Sequence, residues 1–216
     1  MRTFDQRDRR TLALMWRGLA GTVTVDLFLD DGDASRRADT IWTAAAATAH
    51  QRLIVRRHHG ADDARAAALG IASRPTAVFF DAAGRDSGTR LTLVPAGYVF
   101  QTVVAHVRYL SASDRRVPAL LAPLLPRLAC PIVVRVEASA NCPYCPHAIR
   151  VAERWAAAAP NRVRAVVLEG LAVPGHEEAL PRVSMTDGAE TWRTEWSGVL
   201  PEREWVARLL SVVDLS

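Results

Sequence analysis

The sequence predicts an α/β protein built from one unit used twice. Apolar runs of strand character alternate with helix-period patterns along the whole chain. The order of these elements in the first half recurs in the second. Landmark residues also recur at nearly equal offsets: Pro75 and Pro181 stand 106 residues apart, and Phe100 and Trp205, which anchor the closing helices, stand 105 apart. Two matching offsets argue for internal duplication. With 216 residues, the chain is long enough for two units of ~100 residues each. The division falls at 1–112 and 113–216.

In the first half, residues 5–19 form an amphipathic helical pattern with Leu12, Met15, Trp16 and Leu19 on one face. Residues 23–29 read as a strand, 35–50 as an Ala-rich helix and 53–57 as a second strand. A short helix over 62–69 stops at Gly70. Arg74-Pro75 precedes a strand at 76–80, Ala82-Ala83-Gly84 turns the chain, and 90–94 is the fourth strand. The unit closes on a helix over 97–110, with Phe100, Val103, Val104 and Val107 on its apolar face.

The second half repeats this order. It has strands at 132–136 and 163–168, with a helix between them over 142–159. A helical turn at 176–180 leads to Pro181, followed by strands at 182–186 and 191–196 about an Asp187-Gly188 turn. The final helix spans 201–213, with Pro201 at its first position. Between the halves, 111–130 reads as a kinked helix carrying Pro118, Pro123 and Pro126.

Composition limits the classes of function. Half of the residues are hydrophobic, which is enough for a sizeable core. No apolar run reaches the ~18 residues needed to cross a bilayer, and the N-terminus lacks the pattern of a secretory leader. The expected setting is therefore cytoplasmic, with no membrane partner. All 27 cationic residues are arginine, and the net charge of +4 is spread along the chain. No aromatic-interleaved basic stripe accompanies these arginines, so nucleic acid is not an expected partner.

The chain has three cysteines, too few for a secreted disulfide scaffold. Two of them form Cys142-Pro143-Tyr144-Cys145, set between a strand and a helix. That context favours redox chemistry for a C-x-x-C pair. The alternatives are half of a zinc site and a surface pair that merely packs. Structural zinc takes four ligands, and only Cys130 and His147 are further candidates, so no metal is expected. No Gly-rich loop follows a strand, so no nucleotide cofactor is expected either.

The order β-α-β-α-Pro-β-β-α resembles the thioredoxin arrangement. The expected fold is thus α/β, two tandem thioredoxin-like units, each a mixed four-stranded sheet with helices on both faces. The chain resembles the two-unit, glutaredoxin-like protein disulfide oxidoreductases and the N-terminal domain of the alkyl hydroperoxide reductase flavoprotein subunit. The resemblance lies in Cys142 to Ala148, in Pro95-Ala96-Gly97-Tyr98-Val99-Phe100, in Pro75 and Pro181 at the cis-proline positions, and in the segment 198–205. It covers nearly the whole chain. Two departures stand out. Unit one has no cysteine near Ala34-Ser35-Arg36-Arg37, and the segment between Glu169 and Pro181 is shorter than usual. Unit one then looks like a redox-silent copy.

The resemblance implies that Cys142 is the attacking sulfur and Cys145 the resolving one. A free thiol with a pKa of about 8.5 is only ~3% ionised at neutral pH, whereas one lowered to about 6 is ~90% thiolate. A helix N-terminus favours that change. Tyr144 offers a ring to a partner, and Leu180 with Pro181 would pair with an extended substrate segment. Pro143 stiffens the bridge.

Two auxiliary candidates are weighed against plain alternatives. Glu137 could accept a proton from Cys145, although strand carboxylates are usually solvated. His147 could favour the thiolate or simply sit on a solvated helix face. Cys130 reads as a small buried apolar residue, His58-His59 as surface residues, and Pro75 as structural.

Two classes of function remain. The first is a thiol–disulfide oxidoreductase acting without a bound cofactor on disulfide-containing protein substrates, with electrons from a flavoprotein reductase or thiol pool. Relay to a peroxiredoxin is a variant, and glutathione use is compatible with the motif. The second is a thioredoxin-fold interaction module whose C-x-x-C is vestigial.

Overall fold

The computed structural model describes residues 5–60, 63–112, 116–170, 180–189 and 191–213. Unit one runs α1 (Gln6–Met15), β1 (Val23–Leu29), α2 (Asp33–Thr48), β2 (Leu53–His59), α3 (Ala64–Leu69), β3 (Thr76–Phe80), β4 (Asp86–Thr92) and α4 (Gly97–Ser111). Unit two runs β5 (Ile132–Ala138), α5 (Cys145–Ala158), β6 (Val163–Glu169), β7 (Arg182–Thr186), β8 (Arg193–Ser197) and α6 (Glu202–Leu210). The expected helical turn at 176–180 falls outside the described residues except for Leu180.

Local signals explain most element boundaries. At the start of α1, Asp5 accepts from the Asp8 amide at 2.8 Å while the Asp8 carboxylate accepts from the Asp5 amide at 3.2 Å. This reciprocal capping satisfies two otherwise unpaired donors. The Asp63 side chain caps α3 by accepting from the Arg65 and Ala66 amides, and Gly70 ends that helix in the left-handed region, which favours glycine. Pro201 stands just before α6 as its N-cap rather than inside it.

The two expected four-stranded sheets are present, but they are fused. The eight strands lie in the order β2-β1-β3-β4-β6-β5-β7-β8. Each half repeats one pattern: a parallel β1–β2 or β5–β6 pair, then antiparallel β3–β4 or β7–β8. The join is a parallel pairing of β4 with β6, from Thr89 opposite Ala165 to Thr92 opposite Leu168. β4 also starts earlier than expected: Asp86 pairs with Phe80 of β3, Ser87, Gly88 and Thr89 are buried, and the pairing with β6 begins at Thr89.

Strand alternation distributes the side chains. In unit one, Val25, Leu27 and Leu29 join Ala77, Phe79, Trp42 and Val103 on the face covered by α2 and α4. Phe28, Val78 and Phe80 pack with Ala66, Leu69 and Ile71 of α3 and its C-terminal continuation on the other face. The larger core continues without a break into unit two, through Val134, Val136, Ile149, Trp155 and Trp205. Helices α4 and α5 pack against each other across the join.

Three expectations need correction. The kinked helix over 111–130 is absent among the described residues: α4 ends at Ser111, and only turns and a single 3-10 turn (Leu125–Arg127) follow. Its three prolines remove amide donors and force this irregular path. Cys130 is partly exposed rather than buried. His58 is partly buried rather than a plain surface residue. It stacks on Phe28 at 4.6 Å between ring centroids, with Asp26 at 3.5 Å and Asp63 at 3.2 Å, while His59 on the opposite face is exposed.

Glu153 is an unusual feature of the α4–α5 packing. It is fully buried, its Oε1 has no hydrogen-bond partner among the described residues, and Nδ1 of His106 lies 3.9 Å from Oε2. Burial pushes the Glu153 carboxyl well above the usual carboxylate range, and Arg150 offsets this only in part. A raised folded-state pKa means that the fold holds the proton more tightly than the unfolded chain does. The carboxyl therefore imposes no penalty below its unfolded value of about 4.3, and a growing one as pH rises toward its folded value. Glu153→Gln should stabilise the protein against urea, with a larger gain at pH 8 than at pH 5. An equal gain at both values would contradict this account.

Candidate redox site

Strand β5 delivers the chain to the site. Ala138 ends the strand, and a tight turn follows in which the Cys142 amide donates to the Ser139 carbonyl at 3.1 Å. The Asn141 amide donates to Ser139 Oγ at 3.3 Å. Helix α5 begins three residues after Cys142, at Cys145. Cys142 and Cys145 form a disulfide with their Cα atoms 5.5 Å apart.

The two sulfurs differ in access. Cys145 is 0% exposed, and Cys142 is partly exposed. Tyr144, between them in sequence, is 66% exposed.

The first turn of α5 shows why one amide points at sulfur. Among the described residues, no side chain caps this helix. Pro146 has no N–H, and the His147 amide is taken up by the Tyr144 carbonyl at 3.2 Å. The Cys145 N–H donates to Cys142 Sγ at 3.1 Å. An N–H at the positive end of a helix, aimed at sulfur, stabilises negative charge there. On its other side Cys142 Sγ lies 3.5 Å from the Leu180 carbonyl oxygen, an acceptor suited to a thiol proton rather than to a thiolate.

The segment carrying Leu180 enters the site through a cis Leu180–Pro181 bond, and unit one has a cis Arg74–Pro75 bond at the equivalent place. The Pro181 carbonyl accepts from the Gly198 amide at 2.8 Å, which ties this segment to the loop before α6. Cys142, Cys145, Tyr144, Leu180 and Pro181 thus meet at one end of the sheet of unit two.

The auxiliary candidates both have partners. Glu137 sits opposite Arg182 in the β5–β7 register, and its Oε2 accepts from Arg182 Nε at 3.0 Å. At 29% side-chain exposure, it is a partly exposed ion-pair partner rather than a buried carboxylate. His147 donates from Nε2 to the Leu200 carbonyl at 3.3 Å, which anchors the helix to the loop before α6.

Sequence reasoning missed the support beneath the motif. Trp205 Nε1 also donates to the Leu200 carbonyl, at 3.2 Å, and Trp155 Nε1 donates to Glu202 at 2.7 Å. Trp205 packs edge-on against both Trp155 and Trp196. The available signal was a tryptophan on each of α5, β8 and α6 in a chain with few aromatic residues. Among the described residues, no group of three or more His, Cys, Asp or Glu side chains is arranged to hold a metal ion.

These features define a tandem thioredoxin fold whose second unit alone carries a cysteine pair. Solved structures of similar fold extend along almost the whole chain. The alkylhydroperoxide reductase AhpF from Enterococcus faecalis aligns with a TM-score of 0.78 at 21% identity, covering 95% of this chain and 99% of that one. The NTD_N/C domain of the same protein aligns equally well, at 94% and 98% coverage. A protein disulfide oxidoreductase from Aeropyrum pernix aligns with a TM-score of 0.77 at 18% identity, covering 96% and 92%. The resemblance read from the sequence is therefore matched by the fold. No family model and no curated protein matches the chain.

The difference in burial has a direct chemical consequence. After reduction, brief iodoacetamide treatment should alkylate Cys142 at least tenfold faster than Cys145, as read by peptide mass spectrometry. Equal rates would show that the two sulfurs do not occupy distinct environments.

Proposed function

We propose that the chain is a thiol–disulfide oxidoreductase acting on disulfide-containing protein substrates. The observation that carries this reading is the cysteine pair at the start of α5, with one sulfur reachable, the other buried, and the Cys145 amide donating to the reachable one. Similarity of fold to a protein disulfide oxidoreductase and to AhpF supports it.

In the reduced protein, the Cys142 thiolate attacks one sulfur of a substrate disulfide. The substrate S–S bond breaks, one substrate sulfur leaves as a thiol after taking up a proton, and Cys142 is held in a mixed disulfide. Cys145, deprotonated, then attacks Cys142 Sγ. This closes the Cys142–Cys145 bond and releases the second substrate sulfur as a thiol. Two electrons have passed from the protein to the substrate, and a flavoprotein reductase or a thiol pool returns them. The balance is the same in the opposite direction, so the surrounding redox poise sets the net flow.

In this reading the Leu180 carbonyl beside Cys142 offers a backbone acceptor to an extended substrate segment, Pro181 shapes that edge, and Tyr144 supplies an exposed ring to the partner. Pro143 limits the freedom of the bridge. A peroxiredoxin fits as one class of partner, and the setting is a reducing one such as the cytoplasm. The unit at 113–216 performs the exchange, and the unit at 1–112 is redox-silent.

The test is reduction of insulin disulfides by the full-length protein with dithiothreitol as donor. The wild-type protein should accelerate insulin precipitation. Cys142→Ser should lose at least ~100-fold of that rate while retaining its circular dichroism and melting cooperativity. A wild-type protein with no activity, and with no defined midpoint in a glutathione redox series, would favour the interaction module.

A further inference from the structure

We propose that unit one positions the redox loop of unit two, and that it does so through Gly97 and the Tyr98 amide. The proposal deepens the disulfide-exchange reading and rests on it. Helix α4 begins at Gly97, after Ala96, and has no side-chain cap among the described residues. The amide of its second residue, Tyr98, has no acceptor within the helix. It donates instead to the Ala140 carbonyl of unit two at 2.9 Å. The redox loop therefore supplies the missing cap of a helix in the other unit, with its carbonyl oxygen at the positive end of the dipole.

The approach is so close that it requires glycine. Gly97 has φ +52°, and a Cβ there would overlap the Ala140 carbonyl oxygen and lie 3.1 Å from its carbon. Both atoms belong to backbone, so neither can swing aside. Ala140 sits inside the turn from Ser139 to Cys142, which is closed by the Cys142 and Asn141 amides. Moving the Ala140 carbonyl moves Cys142.

The partners of Cys142 would not move with it. The Cys145 amide is fixed by α5, and the Leu180 carbonyl by the segment bonded to Gly198. A displacement at Ala140 therefore changes how well Cys142 Sγ meets the Cys145 N–H. Hydrogen bonding to a charged group weakens steeply as its geometry degrades. The dithiol and the disulfide then change in relative free energy without any contact between unit one and sulfur. Gly97 and Tyr98 are positioning residues, and the contribution of Tyr98 comes from its backbone.

The experiment compares the equilibrium constant of the Cys142–Cys145 couple against a glutathione series in Gly97→Ala, Gly84→Ala and wild type. Gly84 is the control: it also has positive φ (+75°), but a Cβ there meets nothing within 4 Å. Both substitutions should lower stability. Only Gly97→Ala should shift the equilibrium constant by threefold or more, about 14 mV for a two-electron couple. A folded Gly97→Ala whose constant stays within threefold of Gly84→Ala overturns the proposal.

If Gly97→Ala does not fold, Tyr98→Pro is read by the same criterion. It deletes the donor at a helix position that tolerates proline. Should neither variant fold, wild-type hydrogen exchange decides. Coupling is reciprocal, so the Tyr98 amide should exchange at rates differing at least threefold between the oxidised and reduced proteins, and equal rates overturn the proposal. A wild type with no reversible midpoint sinks the exchange reading itself, an outcome distinct from a midpoint that Gly97→Ala fails to move.

Discussion

The parallel pairing of β4 with β6 is the constraint on which the other features depend. A lone four-stranded unit would end in a strand with unpaired backbone groups. Here the final hairpin of unit one meets the outer parallel strand of unit two, and each satisfies the other. The close approach needs Gly88. Its φ is +76°, and a Cβ there would sit 2.8 Å from the Val163 carbonyl oxygen and 3.3 Å from Pro160 Cα. The join also buries charge. Arg90 lies within it and bonds Asp86 at 2.9 and 2.6 Å. Burial pushes the Asp86 carboxyl up, but Arg90 and the Gly88 amide outweigh this and hold it below the usual range. Arg90 is buried and Asp86 is partly exposed, so removing Asp86 would leave the buried guanidinium without its carboxylate partner, which is the costly half of the pair to lose.

Once the sheets are joined, α4 and α5 must pack side by side. The redox loop then lies where two bodies meet. From its own unit it receives chemistry: one reachable sulfur, one buried sulfur and a helix amide. It also receives a rigid frame from that unit. His147 on α5 and Trp205 on α6 share the Leu200 carbonyl, and the next residues lead through Trp155–Glu202 and Gly198–Pro181. The helix, the cis-proline segment and the entry to α6 are thereby held to one another. Reacting groups are useful only when their supports are fixed in this way.

Much of this was legible in the sequence for a physical reason: each legible feature has a local cause. Helix periodicity, Gly70 as a stop and Asp187-Gly188 as a turn depend on neighbouring residues alone. The cysteine pair announces itself by spacing. The features that could not be read depend on what lies across space. Asp86-Ser87-Gly88-Thr89 looks like a loop because nothing in its sequence reveals that β3 will pair with Asp86 and β6 with Thr89. Glu137 looks like a possible proton acceptor until β7 places Arg182 opposite. His58 looks exposed until Phe28 and the two aspartates surround it. The leucines around Pro118, Pro123 and Pro126 suggest a helix that their missing amides do not allow.

The absence of cysteine from unit one has a deeper structural counterpart. In unit two, residues 139–144 separate β5 from α5, whereas in unit one only residues 30–32 separate β1 from α2. The turn that presents Cys142 has no equivalent there. The short connection is occupied by an acidic network. Asp30 accepts from Ser35 Oγ at 2.6 Å and from the Gly32 amide at 2.9 Å, and these bonds hold its carboxyl below the usual range. Arg36 donates to the Asp33 carboxylate and to the Asp31 backbone carbonyl. The favourable end of α2 is thus already serving carboxylate charge. A thiolate placed there would meet like charge and lack a turn to hold it, so restoring two cysteines would not by itself restore a second centre. Unit one is built to end its strand quickly and start its helix on aspartate. What it can still give the redox site is the other end of the unit, where α4 begins.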